Sequence, residues 1–288
     1  MNVEIAQKIL NYFEIEEKVI SLEQNQTGLI NRTFEIETLD NRFIIQEINK
    51  HIFSNYKLNL QNIILVKEWI NQSDYQFKFP SPIKNKYFNF NNKIFRLLPY
   101  VHQSKVIDKI TDINQAKEAA HCLSNFYTSL DNFPVEKLNF SIPNFHNGKE
   151  KILGFKDALQ NSCIQKLNNS KTIIKEVESK LDILNKWDSI CQKLPLRVVH
   201  YDTKINNFLF SKSSNKVIAL IDFDTLMPGC ILSDVGDMIR SYSNLSGEEN
   251  QNFNNILCDF SIVDIIIDTF KSNRSLQKEE LNNLYFGG

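Results

Sequence analysis

The contrast between the first third of the chain and the remainder constrains the fold more than any other feature. Short strand-like runs fill residues 19–98, whereas helical periodicity dominates after Pro99, around a short β-rich insert at residues 196–221. Strands grouped in one part of a chain and helices in another are typical of α+β architecture. The sequence therefore predicts an α+β fold with a small antiparallel β N-lobe at residues 1–98 and a larger, mostly helical C-lobe at residues 99–288.

Two turn signals order the strands of the first lobe. Asp40-Asn41 and Asn91-Asn92 each lie between two strand-like runs, as in hairpins closed by tight turns. We therefore expect two antiparallel hairpins, with an amphipathic helix at residues 58–70 inserted between them. Further helical patterns cover residues 3–18, 114–130, 150–165, 172–193, 234–241 and 251–270.

Composition excludes several classes of protein. With 42% hydrophobic residues the chain can build a core, and a net charge of −1 lacks the basic excess of a nucleic-acid binder. The strongest apolar run, at residues 262–270, is interrupted by Asp264 and Asp268, so no membrane span is expected. Five scattered cysteines with no CxxC pair, and no secretion signal at the N-terminus, favour a cytoplasmic protein without disulfides or zinc.

Chemistry-bearing side chains concentrate around one short strand and the strand pair that follows it. An apolar run at residues 196–199 leads into Asp202, Lys204 and Asn207, and the later strand at residues 216–221 ends at Asp222, with Asp224 two residues further on. A hairpin would bring these groups together. Carboxylate and amide oxygens suit Mg²⁺, and the set matches the parts used for phosphoryl transfer. Taken singly, each of these residues is more often a solvated turn residue; together they favour a catalytic site.

Glycine is scarce, with eight in the chain, and neither a P-loop nor a G-x-G-x-x-G pattern is present. Folds that bind a cofactor through a glycine-rich loop are therefore disfavoured.

The motifs resemble a known superfamily. HYDTKINN (residues 200–207) resembles the catalytic loop of kinases, with Tyr201 in place of an arginine, and IDFDTLMPG (residues 221–229) resembles the metal loop of the aminoglycoside phosphotransferase and choline kinase branch. Within that branch, HYDTKINN, IDFDTLMPG and SDVGDMIR look like N-acetylhexosamine 1-kinases. The resemblance extends from about residue 24 to the end.

The resemblance implies roles for individual residues. Asp202 would orient the attacking hydroxyl, and Lys204 would neutralise charge on the transferring phosphoryl group. Asn207 and Asp222 would hold Mg²⁺, while Asp224 would bind a second metal ion, contact a sugar hydroxyl or serve the structure alone.

The N-lobe would bind the nucleotide. The loop at residues 24–33 would cover the phosphates, with Gly28, Ile30 and Asn31 as its contact residues. Leu98 and Tyr100, on either side of the hinge proline, would contain the adenine. Arg96 and His146 are candidate contacts of the acceptor.

Two positions depart from the kinase pattern. A lysine on the third strand and a glutamate on the helix that follows form an ion pair in protein kinases. Here the third strand reads Gln46-Glu47-Ile48-Asn49, and Gln61 stands where relatives have glutamate. An acid facing a triphosphate would repel it, so we expect Glu47 to point outward or Lys50 or Arg32 to compensate. Related kinases also continue past the point where this chain ends, so we expect it to lack their last C-terminal helices.

Structural roles are expected for three nearby side chains. His200 is predicted to anchor the backbone near Asp222. Asp234 and Asp237 fall at a helix start, where N-capping is the default expectation, and Asp237 is within reach of Arg240.

The resemblance thus implies an ATP- and Mg²⁺-dependent kinase that phosphorylates a small hydroxyl-bearing molecule. The favoured acceptor is the anomeric hydroxyl of an N-acetylhexosamine or related sugar. Alternatives are an aminoglycoside, choline or homoserine kinase on the same fold, a nucleotide-binding pseudokinase or inactive fragment, and a helical scaffold without ligand. The sequence leaves oligomeric state open.

Overall fold

The N-lobe is an antiparallel sheet. The computed structural model describes residues 1–25, 30–247, 250 and 257–288. Five strands are paired in the spatial order β1-β2-β3-β5-β4. They are β1 Ser21–Asn25, β2 Arg32–Glu37, β3 Arg42–Glu47, β4 Phe88–Phe90 and β5 Lys93–Pro99. Both hairpins are confirmed, and Asn91 and Asn92 have φ values of 47° and 64°, as both central residues of a type I′ turn require.

Helices form most of the C-lobe. Two α-helices precede them in the described part of the chain, α1 Val3–Tyr12 and α2 Tyr56–Ile70. Those of the C-lobe are α3 Ile113–Ser129, α4 Gly148–Asn161, α5 Ile164–Asn169, α6 Lys171–Glu178, α7 Leu181–Cys191, α8 Leu232–Ser243, α9 Phe260–Lys271 and α10 Lys278–Gly287. None of the helices in the described part of the chain is long and apolar enough to cross a membrane.

Five short strands form two small sheets beside the helices. They are β6 Ser104–Lys105, β7 Arg197–Val199, β8 Phe208–Ser211, β9 Val217–Leu220 and β10 Met227–Gly229. Strand β7 pairs with β10, and β8 lies between β6 and β9. The catalytic-loop residues therefore lie between β7 and β8, and the two candidate metal aspartates lie between β9 and β10.

Two predicted helices are interrupted. The pattern at residues 150–165 is divided between α4 and α5, because Ser162 adopts an extended backbone conformation with ψ 145°. The pattern at residues 172–193 is divided between α6 and α7 at Ser179. The Ser179 hydroxyl donates to the carbonyl oxygen of Glu176 at 2.7 Å, a local effect that hydrophobic periodicity does not report. Of the helix predicted over residues 251–270, residues 251–256 lie outside the described residues, and α9 begins at Phe260.

The two lobes have separate cores. Helix α1 packs on the N-lobe sheet through Ile9 and Leu10, and the larger core gathers α3, α8 and α9. Helix α2 precedes Pro99 in the chain, yet its Ile63 and Val66 belong to the larger core. Helix α2 therefore fixes part of the N-terminal segment against the C-lobe, directly beside the loop that carries the candidate metal aspartates.

Candidate active site

The loop after β7 is held in place by His200. This side chain is fully buried, and its Nδ1 accepts the Asp202 backbone N–H at 3.3 Å while Nε2 lies 2.9 Å from the carbonyl oxygen of Ile221. Because Nδ1 is the acceptor, Nε2 carries the proton and donates to Ile221. The prediction that His200 anchors the backbone next to Asp222 is confirmed. The histidine thereby joins the catalytic loop to the end of β9.

Asp234 holds the same loop from the other side. Its Oδ2 accepts the backbone N–H of His200 at 2.9 Å and the hydroxyl of Tyr127 at 2.7 Å, and its Oδ1 accepts the backbone N–H of Tyr201 at 2.6 Å. Complete burial raises the pKa of Asp234, and these donors oppose that shift. The N-cap prediction is wrong for Asp234, since α8 begins earlier at Leu232 and has no side-chain cap.

Asp237, one turn further along α8, also serves the loop. Its Oδ2 accepts the Thr203 backbone N–H at 2.8 Å, so the N-cap prediction is wrong here as well. Its Oδ1 pairs with Arg240 at 2.7 Å, which confirms the predicted salt bridge. Sequence spacing could not separate these roles from capping, because the partners lie more than 30 residues away.

Asp202, Asn207 and Asp222 face one another across the loop. Asn207 donates from Nδ2 to the backbone oxygen of Asp202 at 2.8 Å and to its Oδ2 at 3.0 Å. Its amide oxygen is therefore turned away from Asp202 and is available to a cation. The backbone oxygen of Asn207 also accepts the N–H of Ile221 at 3.0 Å, which brings Asp222 alongside.

The arrangement of Asp222 fits a divalent cation. Its backbone is left-handed, with φ 64°, and its Oδ1 is buried without a hydrogen-bond partner among the described residues. Burial raises the pKa of Asp222 to about 7, with repulsion from Asp224 adding to the shift and Arg96 opposing it. An orphaned buried carboxylate oxygen beside a free amide oxygen is a donor set that suits Mg²⁺. The structure thus brings together Asn207 and Asp222, the pair predicted to hold the metal.

Asp224 has a different environment. Its side chain is buried, and its Oδ1 accepts a hydrogen bond from Arg96 Nη1 while its Oδ2 accepts one from Asn31 Nδ2. Arg96 is only 2% exposed and also donates from Nε to Gln46 Oε1 at 2.8 Å. Both carboxylate oxygens of Asp224 are thus occupied by protein donors. The metal role of Asp224 and the acceptor role of Arg96 stay predictions.

A single cavity of about 570 Å³ joins these groups to the hinge. Leu98 and Tyr100 line its hinge end, while Lys204 and Asp202 line it near the catalytic loop. Among the described residues that line it, Arg96 and Lys204 are the cations.

The candidate phosphate loop is described in part. Ile30 and Asn31 line the cavity, as a phosphate-covering loop requires, and Gly28 lies outside the described residues. The side chain of Asn31 is bonded to Asp224 and, through Oδ1, to the backbone N–H of Asn49 at 2.9 Å. Asn31 therefore links the loop to its surroundings.

An aromatic wall stands beside Asp202. Phe145 and Tyr201 line the cavity with ring centroids 5.2 Å apart at 77°. His146 is stacked against Phe145 at 4.5 Å and is not among the lining residues described, so it supports the wall from behind. Its Nδ1 lies 3.2 Å from Ser233 Oγ. Sequence reasoning named His146 for the acceptor and missed Tyr201, whose position inside the catalytic-loop motif was the available signal.

Both departures from the kinase pattern lie outside the cavity. Glu47 pairs with Lys93 at 2.9 Å and with Arg32 at 3.5 Å, so the expected compensation by Arg32 is met. Lys50, the other expected cation, donates instead to the carbonyl oxygen of Asn92 at 2.6 Å. Gln61 is exposed and accepts a hydrogen bond from Asn139 at 3.3 Å. Neither side chain places a negative or unpaired group against the cavity.

Helix α2 contacts the metal loop through two other residues. Asn59 donates to the carbonyl oxygen of Phe223 at 2.9 Å, and Asn62 donates to that of Leu226 at 2.9 Å. Both asparagines are buried. They hold the backbone on either side of Asp224, a role that sequence reasoning did not assign.

Comparison with known proteins agrees with this fold. A family model described as the phosphotransferase enzyme family matches residues 21–261, which is most of the chain. The chain therefore belongs to the phosphotransferase enzyme family. It is a kinase that uses an alcohol group as acceptor, with a kinase-like two-lobed fold.

Solved structures with the same fold are distant in sequence. The GDP and kanamycin complex of APH(2")-IIia is 15% identical with a TM-score of 0.67, over 99% of this chain and 86% of that one. Spectinomycin phosphotransferase APH(9)-Ia, in complex with ADP and spectinomycin, is 12% identical with a TM-score of 0.62, over 97% and 83%. Macrolide 2'-phosphotransferase MphH from Brachybacterium faecium is 10% identical with a TM-score of 0.57, over 99% and 87%.

Proposed function

We propose that this phosphotransferase transfers the γ-phosphoryl group of ATP to a hydroxyl of a small neutral molecule, with the anomeric hydroxyl of an N-acetylhexosamine or a related sugar as the favoured acceptor. The observation that carries the proposal is the meeting of Asp202, Asn207 and Asp222 at one end of a cavity that reaches the hinge. These are the groups that phosphoryl transfer requires.

The roles follow from position. The acceptor hydroxyl donates its hydrogen bond to Asp202, so its oxygen faces the γ-phosphorus, and the proton passes to the carboxylate as the new P–O bond forms. ADP leaves with the electrons of the broken bond. Lys204 carries the one flexible cation among the described lining residues near Asp202 and neutralises charge on the transferred group. Mg²⁺ held by Asn207 and Asp222 would supply charge neutralisation on the phosphates.

The acceptor side favours a neutral molecule. Phe145 and Tyr201 present rings next to Asp202, and the apolar face of a sugar ring packs on such surfaces. The acids among the described lining residues are Glu35, Asp202, Asp222 and Asp224. Three of these belong to the transfer site, and Glu35 lies 3.4 Å from Arg42 on the N-lobe sheet. A polycationic acceptor would therefore find few unpaired carboxylates here.

The nucleotide end is also built for binding. Leu98 and Tyr100 line the hinge end of the cavity, and Val101, the next residue, lines it too. Because Pro99 has no backbone N–H, the donor for a purine base must come from Tyr100 or Val101. Glu47 and Gln61 are not among the described residues that line the cavity, so neither weighs against nucleotide binding there.

The test is acceptor-dependent release of ADP. Purified protein with Mg·ATP is offered N-acetylhexosamines, other sugars, aminoglycosides, choline and homoserine. We expect turnover with a neutral sugar and a loss of about 10³-fold in kcat for Asp202→Asn. The matched control is Asp182→Asn, an exposed aspartate on α7.

Two outcomes would contradict the proposal. Turnover with aminoglycosides or choline and none with sugars would show that the protein is one of the alternative small-molecule kinases and not a sugar kinase. No thermal stabilisation by Mg·ATP at millimolar concentration, with no turnover on any acceptor, would reject nucleotide-dependent transfer altogether.

A further inference from the structure

Three segments of the N-lobe converge on one C-lobe carboxylate. Asn31 immediately precedes β2, Asn49 follows β3, and Arg96 lies on β5. Asn31 and Arg96 each donate a hydrogen bond to Asp224, and the backbone N–H of Asn49 donates to Asn31. The contacts of Asp224 with Asn31 and Arg96 span 193 and 128 residues of sequence. Because both partners are this remote in sequence, the residues around Asp224 give no indication that it contacts the other lobe.

Burial makes these contacts strong determinants of geometry. Asp224 and Arg96 are 6% and 2% exposed, so water does not compete effectively for their hydrogen bonds. A guanidinium group presents fixed N–H directions, and here Nε is bonded to Gln46 while Nη1 is bonded to Asp224. Gln46 in turn accepts from Arg96 and donates to Thr33 Oγ1 at 3.2 Å. Arg96 is therefore fixed from both ends.

Asp222 and Asp224 are treated differently by their surroundings. Arg96 Nη2 lies 4.0 Å from Asp222 Oδ1, which is beyond hydrogen-bond distance, and that oxygen has no partner among the described residues. Asp224 has a protein donor on each oxygen. A cation would bind Asp222 without displacing any contact, whereas at Asp224 it would have to displace or share with a buried guanidinium.

The Arg96–Asp224 ion pair lies in a part of the molecule where protein kinases have a different ion pair. Protein kinases have an ion pair near the phosphates between a lysine on the third strand and a helix glutamate. On β3 of this chain the cavity-lining residue is Gln46, and the acid next to it, Glu47, pairs with surface cations. The Arg96–Asp224 ion pair connects β5 with the metal loop at the same end of the cavity.

We propose that Asp224 is a positioning residue and not a metal ligand: its contacts with Arg96 and Asn31 hold the loop that carries Asp222 against the N-lobe. The proposal rests on the phosphotransferase function proposed above and deepens it. Loss of the contacts would misplace Asp222 and the phosphate loop relative to each other while leaving the metal donors, Asn207 and Asp222, in the protein.

The test uses Asp224→Asn, Arg96→Gln and the double variant that combines these two changes. All three are compared with the single variant Asp222→Asn. Activity is measured as acceptor-dependent ADP release, and metal binding is measured separately by electron paramagnetic resonance of Mn²⁺ in the presence of ADP. We expect each single variant to lose about 10- to 100-fold in kcat/KM, because displacement by about 1 Å costs that much. The double variant should be no worse than the more impaired single variant, since both break one contact.

Metal binding separates the two roles. We expect Asp224→Asn and Arg96→Gln to retain Mn²⁺ binding and Asp222→Asn to lose it. The inference is overturned if Asp224→Asn loses Mn²⁺ binding as Asp222→Asn does while Arg96→Gln keeps it. Arg274→Gln, at an exposed arginine of the C-lobe, controls for removal of a positive charge.

A milder variant covers the case in which Asp224→Asn does not fold. Asn31→Ser removes one of the two donors and leaves the ion pair intact, so a smaller loss of kcat/KM with unchanged Mn²⁺ binding is expected; full activity would contradict the inference. Failure of the proposed function is distinguishable, because it appears as no ADP release by the unaltered protein with any acceptor. The Mn²⁺ comparison needs no turnover and remains readable in that case.

Discussion

The catalytic loop and the helices from α4 to α7 are built in opposite ways. The loop is fixed by buried side chains of α8, nine of whose twelve residues are buried. Among the described residues of α5 and α6 none is buried, and α4 and α7 contribute one each, Gly148 and Asp188. A phosphoryl-transfer site needs exact placement of its groups, whereas the neighbouring helices need only a few contacts to stay in position.

One group of hydrogen bonds joins the start of α4 to α7. Asp188 Oδ1 and Oδ2 accept the backbone N–H groups of Gly148 and Lys149, each at 2.8 Å. A Cβ at position 148 would lie 2.6 Å from the carbonyl oxygen of Leu184, so glycine allows the start of α4 to meet α7 closely. The start of α4 is thus capped by a side chain of α7, close in sequence to Phe145 of the aromatic wall.

Asp234→Asn is the largest test of this difference. The change replaces one of the two carboxylate oxygens, which accept hydrogen bonds, by an NH₂ group, which donates them. At least one buried N–H or O–H donor that now bonds to Asp234 would then lose its acceptor. We expect the free energy of unfolding to fall by about 2–4 kcal/mol, measured by urea denaturation, and kcat to fall with it. Asp182→Asn on α7 is the matched control. A stability equal to that of the control would show that the loop is not held by Asp234.

Sequence reasoning succeeded where the signal is local. The two hairpins followed from Asp40-Asn41 and Asn91-Asn92, and the closeness of Asn207 and Asp222 followed from strands that a hairpin would bring together. It failed where the partner is remote. The role of Asp234 depends on loop N–H groups more than 30 residues earlier, so no local pattern distinguishes it from an N-cap.

The nucleotide side shows the same limit. Arg96 is one position along a regular strand, and only the sheet register, which sets it opposite Gln46, and the packing of the lobes show that it reaches Asp224. Likewise, the aromatic wall depends on Phe145 and Tyr201 meeting across 56 residues of sequence, a contact created by tertiary packing. Residue types near a motif predict the chemistry; they do not predict which of two neighbouring aspartates is already paired.

Tyr242→Phe tests a single bond of the loop network. The buried Tyr242 hydroxyl donates to the carbonyl oxygen of Thr203 at 2.8 Å, and its removal leaves that oxygen without its partner. We expect a loss of about 1–2 kcal/mol in the free energy of unfolding. Tyr285→Phe is the control, since the exposed Tyr285 hydroxyl bonds to Asp264 at 2.9 Å, and its removal should cost under about 0.5 kcal/mol. Equal losses for the two variants would contradict the contrast.

Trp187→Phe probes the contact between α7 and the aromatic wall. Trp187 Nε1 donates to the carbonyl oxygen of His146 at 3.0 Å, and His146 has a left-handed backbone with φ 54°. Without this bond the wall is less well fixed, and a loss of about 1 kcal/mol corresponds to a roughly fivefold higher KM for the acceptor. The KM for Mg·ATP should stay the same. If only the KM for Mg·ATP changed, α7 would support the nucleotide end of the cavity and not the acceptor end, which would contradict the prediction.

The smallest effect is expected on the outer face of α6. Ile173 is 68% exposed, so Ile173→Ser removes little buried area and should change the free energy of unfolding by less than about 0.5 kcal/mol. The far gentler Ile266→Val in the core of α9, where Ile266 is fully buried, should cost about 0.5–1.5 kcal/mol. Urea denaturation of both variants measures the comparison. If Ile173→Ser lowered the free energy of unfolding more than Ile266→Val does, the outer face of α6 would be buried in the folded protein. That result would contradict the contrast between the loosely packed helices and the catalytic loop.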